Sequence, residues 1–367
     1  MNSTKIITGG LILFFALLGA NKELLSWSLF NLFTDTQFSQ EGLEKAEQFN
    51  PDTDILYLPG LKDKDIFQAV NDLSICRKKS IRRYLYQYLT GGREYLIRSI
   101  ERSYLYSDEI NEVFKNNADV PEELALLPLL ESSFDPHAVS ASRAVGLWQF
   151  VDNTARPLGL KNNRWLDERR HIEKSTEAAL KHLRTMRRLF PSWELALAAY
   201  NGGAGYVKRA MDKTGVKDFW TLAENGHLRE ETSEYIPRYI ALLLIYKNQR
   251  LFGIRDEIKI PERKKTDYFA LESAVDLRDV SKTSGIPLQT IKELNPELNY
   301  TITPPSRKGY RLRIPIEAKK RLRENKKALY KNKIAGMREH RVKKGETITK
   351  ICLAYKKKLI SLSGSTV

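Results

Sequence analysis

From about Cys76 to Ile260, apolar and aromatic residues return every three or four positions, a spacing that buries one face of a helix and that a strand cannot use. The stretch "SIRRYLYQYLTGGREYLIRSIERSYLYSDEINEVF" shows the pattern on both sides of Gly91-Gly92. In "STEAALKHLRTMRRLF" a helix is predicted to start on a Ser175 cap. Ala179, Leu180, Leu183, Met186 and Leu189 then lie along one side. "SEYIPRYIALLLIYKNQRLF" is apolar enough for a buried helix, with Pro237 in its first turn, where a missing N–H costs nothing. A mainly α domain over 76–260 is the expectation.

Flanking segments differ. Lys5 precedes the uncharged run Ile6–Ala20, which is shorter than the roughly 20 residues of a membrane span and ends in small residues. Residues 1–20 therefore read as a signal peptide or N-terminal anchor, with cleavage after Ala20 weakened by the large Leu18. No cysteine follows closely, which argues against a lipid anchor there. Residues 21–75 read as a loose N-terminal extension. Past Pro261 the composition changes, and 267–315 reads strand, helix, Gly turn, helix, "NPELN" loop, strand, a small α+β unit. Residues 316–337 read as a basic linker. Residues 338–367 read as the start of a second such unit that stops early, as though the C-terminus were truncated.

Charge is concentrated rather than spread. Of a net +16, the stretch Lys308–Lys358 carries 19 Lys/Arg against 4 Glu, so the rest is close to neutral. Such a tail suits an anionic wall polymer or anionic lipid, or else is a solvated linker. Nucleic acid is not expected, because no nucleic-acid module is visible. Cys76 and Cys352 lie far apart and form no disulfide framework, and no Cys/His spacing resembles a metal site. No metal or cofactor is expected. His171 and His182, eleven apart on a charged helix, read as surface residues.

The sharpest chemistry lies in "LLESSFDPHAVSASRAVGLWQF". Glu131 ends "PEELALLPLLE", whose leucines cover most of a helix's circumference. Pro128 is costly inside a helix, about 3 kcal/mol, so a kink or a tighter turn is expected just before Glu131. Apolar walls and the negative end of a helix both penalise a charged carboxyl, which would suit Glu131 to general-acid work. Alternatively its carboxylate caps the next turn through the N–H groups of Ser132 and Ser133. Trp148 and Phe150 could be core, Gly202, Gly203 and Gly205 a plain loop, Tyr235 a packing residue, and Asp135 a turn residue before Pro136.

"ESSFDPHAVSASRAVGLWQF", "AAYNGGAGYV" and "ETSEYIPRYIAL" occur in the order and spacing of the lytic murein transglycosylase (SLT) domain, and the chain resembles that family over roughly residues 80–255. The membrane-bound type D subgroup is the nearest in pattern. "LDERRHIEKSTEAALKHL" and "DFWTLAENGHLREETSEY" resemble it as well. The resemblance implies a lysozyme-like catalytic domain over 76–260 with Glu131 as the sole acid/base. It implies substrate contacts from Ser132, Ser133, Gly146, Leu147, Trp148, Gln149, Tyr200 and Asn201. Tyr235 would donate a hydrogen bond to the glutamate, and Trp148, Trp165, Tyr200 and Tyr206 could offer aromatic faces to sugars. The implied reaction cuts the bond between N-acetylmuramic acid and N-acetylglucosamine in peptidoglycan. The muramyl C6 hydroxyl attacks its own C1, giving a 1,6-anhydro product. Ordinary glycosidases pair two acids instead. A hydrolase on the same scaffold and a non-catalytic wall-binding protein are the rival readings.

The 267–315 unit resembles a LysM module, a βααβ fold that binds N-acetylglucosamine-containing glycans. "SGIPLQTIKELNPELN" and "GYRLRIP" carry the likeness, whereas "LESAVDLRDV" departs from the usual first loop. The expectation is thus a monomer, exported to the periplasm or cell envelope, whose partner is the peptidoglycan glycan strand.

Overall fold

A computed structural model describes residues 78–250, 252–305, 309–331, 343 and 345–354. The expected signal segment, the 21–75 extension and most of the second C-terminal module lie outside them. Two compact units result. The first runs to Glu262 except for Asn162–Asp167; the second comprises that short segment and the chain from Arg263 onward.

The first unit is helical throughout. Its elements are α1 (Lys79–Leu89), α2 (Arg93–Lys115), a 3-10 turn (Glu122–Leu126), α3 (Leu127–Glu131) and α4 (Asp152–Ala155). A second 3-10 turn (Glu168–Arg170) leads into α5 (Ile172–Leu189), α6 (Trp193–Gly202), α7 (Ala204–Thr214), α8 (Phe219–Glu224) and α9 (Glu230–Lys247). Helix α9 is the hub, packed by α1, α3, α6 and α8. It begins at Glu230, three residues before the predicted start, so Pro237 sits in its interior rather than in its first turn. The lost helix hydrogen bond costs about 3 kcal/mol. Burying Ile236, Ile240, Leu243, Leu244 and Ile245, each worth about 1.5–3 kcal/mol, outweighs it.

Three further readings change. Helix α5 begins at Ile172 behind His171, so Ser175 is not a cap; it is fully buried inside the helix, its hydroxyl on the Ile172 carbonyl. Leu189, assigned to the buried side, is 62% exposed at the helix end. The tight turn expected just before Glu131 comes one turn earlier, at Glu122–Leu126. Pro128 then falls at the start of α3, where its missing N–H has no helical partner to lose.

The second unit pairs β1 (Thr266–Leu271) antiparallel with β2 (Tyr310–Pro315), in register from Thr266 opposite Pro315 to Leu271 opposite Tyr310. Between them lie α10 (Leu277–Ser284) and α11 (Leu288–Glu293), the predicted βααβ order. Asn295 of the "NPELN" loop ties α11 to β2. Its amide donates to the Ile291 and Arg313 carbonyls at 2.7 and 2.8 Å and accepts from the Arg313 N–H at 2.8 Å.

Of the basic segment read as a linker, either helical or disordered, the described residues 316–331 are largely helical and pack onto this unit. Residues Ala318–Glu324 and Lys326–Leu329 form helices α12 and α13. Ala318, Leu322 and Leu329 complete the core made by Leu271, Val280, Ile291, Leu312 and Ile314. The lysines and arginines that suggested a solvated stretch occupy the outer faces. Leu322→Asp is therefore expected to destabilise this unit by several kcal/mol, since it both opens a cavity and buries a charge. Hydrogen exchange across β1 and β2 reads the loss, and a linker would show none.

Candidate active site

Glu131 is the last residue of α3 and remains half-buried. After it the chain turns sharply, with Ser133 and Phe134 at φ values of 53° and 56°. The Ser132 and Phe134 N–H groups both donate to the Pro128 carbonyl, and the Phe134 ring is buried beneath. This turn directs the carboxyl toward α9, where the Tyr235 hydroxyl donates to Glu131 Oε1 in a short hydrogen bond.

Burial is the main cause that pushes the Glu131 carboxyl up to about 7 from 4.5. The Tyr235 hydrogen bond opposes the shift by favouring the carboxylate, and the negative Glu231 adds to it. Helix α3 has only five residues, so burial does the work that a helix dipole was expected to share. Burial and the neighbouring Glu131 also drive the phenols of Tyr235 and Tyr200 well above their ordinary range. Near neutral pH the site thus offers a proton-bearing carboxyl held by a neutral phenol.

The loop Gly146–Phe150 forms the opposite support. Leu147 and Trp148 are both 0% exposed. The Trp148 indole stacks on Phe114 at a centroid distance of 6.1 Å and donates Nε1–H to Thr176 Oγ1 at 3.0 Å. Both side chains are thus core, and any contact they make with a ligand would come from the backbone. Their backbone is what serves the site: Leu147 O accepts from Ser132 Oγ at 2.9 Å, and Trp148 O accepts from the Tyr200 hydroxyl at 2.8 Å. Ser133 is likewise buried and bonded to the Tyr95 hydroxyl, so its side chain shapes the turn.

Gly146 has φ of 82°, and a Cβ there would lie 2.1 Å from the Arg169 carbonyl oxygen. A close approach of backbone to backbone requires glycine here. Gln149, half-buried at φ 47°, donates Nε2–H to the Gly146 carbonyl at 2.8 Å and leaves its amide oxygen unengaged. Among residues 146–150 it is the one that is not buried.

Asn201 stands at the end of α6. Its Oδ1 accepts from Thr232 Oγ1 at 3.1 Å, and its amide donates to Glu231 Oε1 at 3.4 Å. Gly202 makes the approach possible, since a Cβ there would sit 2.6 Å from the Thr232 hydroxyl oxygen. The Tyr206 hydroxyl accepts from the Arg229 N–H, and the Arg229 guanidinium stacks over its ring at 4.1 Å. Trp165 belongs to the second unit, edge-on to Tyr300 at 6.0 Å. Asp135 is the turn residue expected, its carboxylate accepting from the His137 N–H at 2.8 Å.

Sequence reasoning missed two neighbours. Glu231 lies inside the quoted "ETSEY" motif and is the second carboxylate near Glu131. His182, read as a surface residue, is half-buried with its ring 5.2 Å from Tyr200 and 6.0 Å from Phe150, and burial holds its imidazole below the ordinary value. Helical spacing alone could have placed it beside Leu183 and Ala179 on the covered side. Among the described residues no group of His, Cys, Asp and Glu is arranged to hold a metal ion.

Comparison with known proteins follows the same division. Residues 108–223 match the family described as Transglycosylase SLT domain, and residues 265–331 match Lytic transglycosylase MltD, LysM-like domain. Membrane-bound lytic murein transglycosylase D of Escherichia coli (strain K12) is 35% identical over 245 residues, 64% of this chain and 52% of that protein. Membrane-bound lytic murein transglycosylase F of Alcanivorax borkumensis is 29% identical over 144 residues, 36% of this chain and 29% of that protein. The chain thus spans about half the length of the type D relative. The two matched ranges fall one in the helical unit and one in the two-stranded unit: the chain carries a transglycosylase SLT domain joined to a LysM-like domain of the MltD kind.

Proposed function

We propose that this chain is a lytic transglycosylase that cleaves the β-1,4 bond between N-acetylmuramic acid and N-acetylglucosamine in peptidoglycan, with Glu131 as its single acid and base. The supporting observation is the half-buried Glu131 carboxyl, pushed up to about 7 and held by Tyr235. Protonated Glu131 gives its proton to the glycosidic oxygen as the bond to C1 breaks. The resulting carboxylate is stabilised by the Tyr235 hydroxyl. It then takes the proton of the muramyl C6 hydroxyl as that oxygen bonds to C1, which closes the 1,6-anhydro ring and restores the acid. No water is consumed. A nucleophile on the same sugar has a very high effective concentration, on the order of 10⁵ M or more in well-oriented cases, so one protein group can serve both steps.

Glu231 favours a second reading, in which a nearby carboxylate activates water and the outcome is hydrolysis. Digestion of purified sacculi separates the two by mass. Anhydro ends, lighter by one water than reducing ends, are expected from the wild type and none from Glu131→Gln. Reducing ends alone would overturn the transglycosylase reading, and unchanged digestion by the variant would overturn Glu131. The names of the relatives support a site of action at the envelope. The outward lysines and arginines of α12 and α13 suit an anionic wall polymer or anionic lipid there. Among the described residues no helix is long and apolar enough to cross a membrane.

A further inference from the structure

The loop from Ala138 to Phe150 supplies the two carbonyls that hold Ser132 and Tyr200 beside Glu131, yet its own backbone is awkward. Arg143, Gly146 and Gln149 all have positive φ, at 61°, 82° and 47°, and for the two non-glycines this conformation is unfavourable. Turn bonds close it locally, among them Ser140 N–H to the Ala144 carbonyl at 2.9 Å, Val145 N–H to the Phe150 carbonyl at 3.1 Å and Gly146 N–H to the Ala138 carbonyl at 3.0 Å. These bonds must hold two non-glycine residues at positive φ, so a tie from outside the loop adds directly to how firmly it keeps that shape.

Arg169 is placed to do so. It is 6% exposed, and its Nη1 donates to the Arg143 carbonyl at 3.2 Å and the Phe150 carbonyl at 3.1 Å, the two ends of the strained stretch. Between those ends, Gly146 lies so close to the Arg169 carbonyl that no Cβ fits. Seven residues on, Thr176 takes the Trp148 indole N–H. The loop is thus clamped from beneath by one short run of chain, with the guanidinium at its centre. The two N–H groups of Nη1 are fixed in the guanidinium plane and so point at the two carbonyls in a set geometry, whereas the donors of an ammonium rotate freely.

We propose that Arg169 is a positioning residue: its guanidinium fixes the Gly146–Phe150 loop and, through the Leu147 and Trp148 carbonyls, sets where Ser132 and Tyr200 stand around Glu131. The inference rests on the transglycosylase reading for its effect on rate, but the loop geometry stands without it. Loosening the clamp moves Ser132 and Tyr200 and lets water reach the carboxyl. The loss is of rate per folded molecule, since a displacement of about 1 Å in a positioned group costs about 100-fold. Wetter surroundings also weaken the desolvation of Glu131, so the alkaline limb of the rate profile moves to lower pH.

The test compares wild type, Arg169→Lys and Arg169→Met in the full chain, with rates per folded molecule measured well below the melting range. Hydrogen exchange is read in parallel over 138–150, with α9 as the internal reference. Expected are faster exchange confined to that loop, kcat lower by about 10-fold or more, and an alkaline limb displaced downward, with Lys between wild type and Met. If Met does not fold, Lys alone decides by the same three measurements. Loop exchange, kcat and pH profile all equal to wild type, with only a lower melting temperature, would overturn the proposal. Wild type that cleaves no sacculi would refute the enzymatic reading instead, and the loop exchange would still report on the clamp.

Discussion

Replacing Glu131 by Gln is expected to remove murein cleavage while making the folded protein more stable at alkaline pH. Each general acid or base step contributes about 10²–10⁴-fold, and in the proposed mechanism Glu131 serves both, so a loss of at least about 10⁴-fold is expected. The stability effect has a definite sign. The Glu131 carboxyl lies at about 7 in the folded chain against 4.5 ordinarily, so the folded state holds the proton more tightly than the unfolded one. That advantage is fully present below about pH 4.5 and fades as pH rises through 7, at about 1.4 kcal/mol per pH unit, for a total of up to about 3 kcal/mol. A glutamine at this site carries no charge at any pH and avoids the loss. Denaturant melts at pH 5 and pH 8 check it: the variant should gain on the wild type only at the higher pH. Equal gains at both values, or none, would mean that the carboxyl is not the buried group described.

Much of the site was legible because its parts sit in compact motifs. The place of Glu131 after a leucine-rich run pointed to a desolvated carboxyl, and the resemblance tied Tyr235 to it across 104 positions, a pairing no local pattern carries. The readings that changed share a physical origin. Trp148 stayed open between core and sugar platform because an exposed aromatic and a core aromatic in an irregular loop look alike in sequence; its contacts with Thr176 and Phe114, reached through folding, place its ring in the core. The 316–337 stretch looked solvated because its charges outnumber its apolar residues. Leu322 and Leu329, two positions among many lysines, were enough to bind its described part, residues 316–331, to the core. Pro128 resolved once the leucine-rich run proved to be two short elements, placing the proline at a helix start. Arg169 and Glu231 act through carbonyls and through space, and neither mode leaves a spacing to read.

Tyr235 and Glu231 pull the same carboxyl in opposite directions, which makes their variants a paired test. Tyr235→Phe removes the hydroxyl that donates to Glu131 Oε1 and keeps the ring in its buried seat. A hydrogen bond to a charged group is worth about 1.5–3 kcal/mol. Because this one favours the carboxylate formed after proton transfer, the rate should fall about 10- to 100-fold. The same loss leaves burial less opposed, so the carboxyl rises further and the alkaline limb of kcat/KM moves to higher pH. Glu231→Gln does the reverse. Removing a neighbouring negative charge makes ionisation of Glu131 easier and moves that limb to lower pH, with a shift that shrinks as added salt screens wild-type Glu231. Opposed displacements are what a single proton-bearing glutamate between a donor and a like charge must give. Displacements in the same direction, or a limb that neither variant moves, would assign the rate-controlling ionisation to some other group.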